Sequence, residues 1–105
     1  MHFYRSSFET NSDHLVPSYD LVSEMKSDRK LYNCKVSDVV LGDVVFDIVF
    51  LEITEKIYME SKNSGYNFKA VNSDDVIYNA YIREDETIFV VDPDHLGFLS
   101  ELNLY

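Results

Sequence analysis

The sequence predicts an α+β domain: an antiparallel meander of about five strands, with an N-terminal and a C-terminal helix packed on one face. Three observations predict it. Apolar residues follow helical spacing near residues 18–30 and again after Asp92, whereas between Leu31 and Val91 the period falls to two. The links between the alternating stretches are short, which forces consecutive strands to run antiparallel. A chain of 105 residues, 46% hydrophobic and 14% aromatic, supplies one core and one domain, residues 1–105.

The elements follow in order. Residues 1–15 are polar with scattered aromatics (Phe3, Tyr4, Phe8) and suit an edge strand or a loose arm. Ser18, after Pro17, is an N-cap for a helix over about 18–30 whose Leu21, Val22 and Met25 share a face. Asp20 near its start and Lys26, Arg29 and Lys30 near its end match the helix dipole. Residues 44–50 are apolar on both faces and read as a central strand, bent by a bulge where the phase shifts into 51–59. In 51–59, Leu51, Ile53, Ile57 and Met59 are expected to face one way. A helix competes here, because Phe46, Phe50, Ile53 and Ile57 also fit 3.6 spacing. Nine of the nineteen residues from Val39 to Ile57 are β-branched, which favours strand. Turns at 62–65, 72–75 and 84–86 separate strands at 66–70, 76–83 and 87–91. Asp92 as N-cap and Pro93 at the first helical position then open the last helix, with Leu96, Leu99 and Leu102 as its stripe.

Composition excludes several functions. Nine Lys+Arg against nineteen Asp+Glu leave a net charge of −10, the wrong sign for a protein that binds nucleic acid by neutralising phosphates. No run approaches the 18 or so apolar residues of a membrane span, and no signal-peptide-like segment is present. The single Cys34 makes no internal disulfide, so a soluble cytoplasmic protein is expected.

Signatures of chemistry are absent. His2, His14 and His95 are isolated from one another, and no metal-ligand spacing is present. Cys34 reads as a structural thiol, and no serine lies in a glycine-flanked elbow. The glycines at 42, 65 and 97 stand apart, so no phosphate-cradling loop exists and no cofactor is expected. Asp43, Asp47 and Glu52, followed by Thr54 and Lys56, form the one frame that a divalent-metal-dependent nuclease would use. Alternation works against it, since Asp43 and Asp47 share a face and Glu52 has the opposite parity.

The acids are unevenly placed. Residues 70–105 carry only Arg83 against Asp74, Asp75, Glu84, Asp85, Glu86, Asp92, Asp94 and Glu101. In a meander, Asp74, Asp75, Asp92 and Asp94 gather at one sheet end and Glu84, Asp85 and Glu86 at the other. Tyr78 and Tyr81 have opposite parity, so one of them faces outward as an interface anchor. Surplus acid also serves solubility alone. In size, acidity and lack of catalytic signature the chain resembles small acidic inhibitor proteins: phage-encoded anti-defence proteins, nucleic-acid mimics and bacterial immunity proteins or antitoxins. The likeness carries no motif and transfers no residue. The expectation is a non-enzymatic inhibitor that occludes a basic, nucleic-acid-handling protein through Asp74, Asp75, Tyr78, Tyr81, Glu84, Asp85, Glu86, Asp92 and Asp94. It predicts no direct nucleic-acid or membrane binding. A small assembly module that homo-oligomerises, as a homodimer through an edge strand or the last helix, is the alternative.

Overall fold

The computed structural model describes residues 17–47, 49–60 and 63–105. The expectation for residues 1–15 lies outside them. The chain runs α1 (Tyr19–Ser27), β1 (Leu31–Lys35), a 3-10 turn (Val36–Asp38), β2 (Val44–Asp47), β3 (Val49–Met59), β4 (Gly65–Val71), β5 (Ile77–Arg83), β6 (Thr87–Val91), a second 3-10 turn (Pro93–His95) and α2 (Leu96–Glu101). All strands join one antiparallel sheet in the order β1-β6-β2-β3-β4-β5. The α+β class stands, with six strands rather than about five and a shorter last helix.

Both helices end for the same reason. Ser18 caps α1 by accepting from Leu21 N–H at 3.1 Å. At its far end Lys30 N–H reaches Met25 O at 2.8 Å and Arg29 N–H reaches Lys26 O at 3.3 Å. This Schellman pairing requires a left-handed residue, and Arg29 supplies it at φ 59°. α2 repeats the motif with Asn103 at φ 59°, Leu104 N–H on Leu99 O and Asn103 N–H on Ser100 O. The predicted start signal opens the second 3-10 turn instead: Asp92 accepts from Asp94 N–H, with Pro93 next, and α2 follows from Leu96 without a side-chain cap.

The meander is corrected by β6. It lies between β1 and β2, with three strands between it and β5. Burial explains the placement. All seven residues of β5 alternate exposed and buried, a pattern suited to an edge, whereas Val90 and Val91 of β6 are buried on opposite faces and need neighbours on both sides. Only residues 84–86 connect the two strands. Four flat interstrand spacings would separate them by about 19 Å, but four residue steps reach only about 13–14 Å. The sheet is therefore coiled.

Two other expectations change. The stretches 44–50 and 51–59 are not one strand bent by a bulge: β2 and β3 form a hairpin with Phe46 opposite Phe50 and Asp47 opposite Val49. A bulge does occur, between Ile53 and Glu55. It reverses the alternation, so Leu51 and Ile53 are buried while Ile57 and Met59 are 47% and 41% exposed instead of sharing their face. The strand assignment prevails over the helix throughout.

The coil gives the sheet two apolar faces. Its inner face packs Val36, Val39, Val45, Leu51, Ile53, Phe68, Tyr78, Ile82 and Val90 together. On the outer face, Val22 and Met25 of α1 and Leu99 of α2 cover Leu31, Val44, Phe50 and Val91. The helices share one face, and they cover only its β1-β6-β2 half and the start of β3.

Candidate functional site

Strand register sets which loops share an end of the sheet. Leu31 pairs with Val91, Val44 with Glu52, Glu52 with Val71, and Val71 with Ile77. The entry to β2 at Asp43 and the exit from β6 at Asp92 therefore lie past this row on the Ile53 side, whereas the turn 72–75 lies past it on the Leu51 side. Asp74 and Asp75 are thus separated from Asp92 and Asp94 along the strands as well as by β2, β3 and β4 across them, and the single acidic end expected of a meander does not form. Glu84, Asp85 and Glu86 lie at the opposite end of β5 from Asp74 and Asp75, beside the Arg83–Gly65 pair.

The opposite end is largely engaged. Arg83 Nη2 pairs with Asp85 Oδ2 at 2.8 Å. Glu86 Oε2 accepts from Arg83 N–H at 3.1 Å, and Glu84 Oε2 accepts from the Tyr58 hydroxyl at 3.3 Å. A shallow depression of about 230 Å³ between Asn63, Ser64, Arg83, Glu84 and Asp85 completes this end, below the roughly 300 Å³ of small-molecule sites. Among the described residues, Arg83–Asp85 is the one ion pair.

The turn 72–75 is built differently. Asn72, buried in the β4–β5 turn, accepts from Asp74 N–H at 2.8 Å and Val76 N–H at 3.1 Å, and Asp75 adopts φ 63°. These bonds use the turn's backbone and leave the exposed Asp74 and Asp75 carboxylates facing water. Across the sheet, Tyr32 of β1 is 44% exposed. Burial of its ring edge, then Cys34, Asp43 and Asp92, push its phenol pKa up. Burial followed by Asp43 and Asp38 does the same to the Cys34 thiol, which favours its protonated form. Asp43 is thus shared by a patch that also holds Asp38, Asp92 and Tyr32. It accepts from Val40 N–H at 3.0 Å, which holds the loop presenting Val40 and Leu41, 59% and 60% exposed. Gly42 turns that loop at φ 94°.

Of the predicted tyrosines, Tyr81 is exposed. Tyr78 is corrected: at 3% exposure it belongs to the inner core beside Asn72, because the even positions of β5 face inward. Sequence reasoning also passed over Tyr32, Asp38, Val40 and Leu41, and weighed Asp43 only for the nuclease frame. The signal was an apolar pair directly before the Gly42-Asp43 turn, where a solvated turn has no use for one.

The five side chains of the nuclease frame are each committed elsewhere. Asp43 holds the loop, Asp47 is buried and held by an interaction of its own, and Glu52 Oε1 accepts from the Tyr105 hydroxyl at 2.5 Å. The Thr54 hydroxyl donates to Lys69 O at 3.2 Å. Lys56 Nζ donates to Ser37 O at 2.9 Å and Val39 O at 2.6 Å, tying β3 to the 36–43 loop. Glu52 lies on the outer face with Val44, opposite in parity to Asp43 and Asp47. Among the described residues, no group of three His, Cys, Asp or Glu side chains converges as a metal site, and no helix is long and apolar enough to cross a membrane. Comparison with known proteins finds no family model, no curated protein and no solved structure that matches the chain.

Proposed function

We propose that this is a non-enzymatic acidic binding protein that occludes a basic, nucleic-acid-handling partner. One observation carries the proposal: Asp43 and Asp92 flank the exposed Tyr32, with Asp38 and the exposed Val40 and Leu41 in the same patch and no ion pair neutralising it among the described residues. Apolar contact rimmed by uncompensated charge of one sign suits a cation-rich surface, steers encounter and penalises acidic competitors. Carboxylates on separate loops take the places of phosphates, and Tyr32 supplies the contact that phosphates lack. Asp94 extends the negative field beside Asp92, and Asp74 and Asp75 add to it from the β4–β5 turn, while Glu84, Asp85 and Glu86 serve chiefly to hold their own turn.

The test is affinity capture with the wild-type protein and the variant Asp38→Asn/Asp74→Asn/Asp94→Asn, whose altered side chains hold no turn or cap. A partner retained at about 0.05 M salt, released near 0.5 M and displaced by duplex DNA or RNA supports the proposal. The triple variant is expected to bind it about tenfold more weakly. Capture that ignores both salt and the three substitutions overturns it.

A further inference from the structure

We infer that β5 is a dimerisation strand, pairing antiparallel with β5 of a second copy about a two-fold axis at Asn79. This inference does not depend on the acidic patch. It begins with the backbone of an edge. Asn72 N–H donates to Val76 O and Glu84 N–H to Ser64 O, both in phase with the β4–β5 register. Even-numbered residues of β5 therefore exchange bonds with β4, and Ile77, Asn79 and Tyr81 direct their N–H and C=O groups away from it. Arg83, next in that series, has its N–H occupied by Glu86 Oε2. Three consecutive outward positions remain, in a strand with no neighbour on that side among the described residues.

Edges exposed in this way usually carry a lysine, a proline, a bulge or a covering element. Among the described residues β5 has none of these from Ile77 to Ile82, and it has no charge there, in a chain that is 27% charged. At the opposite edge, β1 is shorter and contains Lys35. The sequence of β5 also complements itself. With Asn79 opposite Asn79, Ile77 of each copy falls opposite Tyr81 of the other. These are the two exposed apolar side chains of the strand, 58% and 42% accessible, and one pairing covers both. The same register brings the acidic turn residue Asp75 opposite the second copy's Arg83. Elsewhere, two molecules of net charge −10 repel. Pairing through the uncharged stretch Ile77–Ile82 is the approach that repulsion opposes least, so the occupant is a second copy rather than a charged partner.

Light scattering of the full chain across concentrations up to about 1 mM tests the inference. The expected mass rises from 12.3 kDa towards twice that value. Added salt strengthens the dimer by screening repulsion between the copies, the opposite of its effect on a basic partner, so failure of one proposal is distinct from failure of the other. Asn79→Lys, which sets two cations across the axis, is expected to leave only monomer. Asn79→Cys is expected to form a 79–79 disulfide under oxidation, because opposed Cα atoms in a hydrogen-bonded pair lie about 5.5 Å apart. Tyr81→Cys is not expected to link to itself; mass mapping of the linked peptides separates both from Cys34. A wild type that stays monomeric overturns the inference, as does a dimer that survives Asn79→Lys or a chain that dimerises only after residues 2–16 are removed.

Discussion

At the scale of single residues, stability rests on a few bonds whose removal has a definite sign. Arg29 holds a left-handed conformation that an L side chain adopts at a cost, and its side chain has no ion pair among the described residues. Arg29→Gly is therefore expected to raise stability by about 0.5–1 kcal/mol, read from the urea midpoint. Protonation gives a second test. The Tyr32, Tyr78 and Tyr105 phenols and the Cys34 thiol are all pushed up, with burial the largest cause in each; for Tyr105 the hydrogen bond and charge of Glu52 add to it. The folded state thus holds protons that the unfolded chain releases near its ordinary values, about 8.5 for thiol and about 10 for phenol. Their contribution is complete below those values and is lost as pH rises towards the folded ones. Urea midpoints should hold steady from about pH 7.5 to 8.5 and then fall; a midpoint that rises above pH 10 contradicts this account. The Ser18 and Asp92 caps were legible in the sequence because a cap is local chemistry. The Tyr32 patch was not, since its acids come from residues 38, 43 and 92, which only the tertiary register brings together.

At the scale of elements, Gly65 is required where β4 begins. A Cβ there would lie 2.5 Å from Ile82 O, 2.9 Å from Arg83 Cα and 2.9 Å from Tyr81 Cζ. The first two are backbone atoms of the neighbouring strand and cannot yield without opening the ladder. Gly65→Ala is expected to destabilise the protein by about 1–3 kcal/mol, measured by denaturant unfolding, while Gly97→Ala, in α2 with nothing within 4 Å, is expected to stabilise it slightly. The sequence showed Gly65 as a turn residue but not this close approach. The same boundary separates what else was legible. Alternation in 76–83 and the apolar run 87–91 located β5 and β6, because period two is a local pattern. Which strand β6 joins depends on burying Val90 and Val91 on opposite faces at once, a long-range requirement. The bulge at Ile53/Glu55 is likewise invisible in composition, yet it alone moves Ile57 and Met59 into solvent.

At the scale of the whole molecule, a charge of −10 is large for 105 residues, and only one ion pair offsets it among the described residues. A field of this kind acts first on encounter: it speeds association with a cationic surface and slows association with another copy. The excess charge was legible from composition alone, whereas its division into an engaged turn at 84–86 and open carboxylates around Tyr32 and, separately, at Asp74 required the register. The most direct test is the association rate constant with the captured basic partner, measured from about 0.05 M to about 0.5 M salt for the wild type and for Asp38→Asn/Asp74→Asn/Asp94→Asn. The account predicts a wild-type rate that falls about tenfold or more over this range and a variant that starts slower and falls less steeply. Equal rates for the two proteins, unchanged by salt, would contradict it.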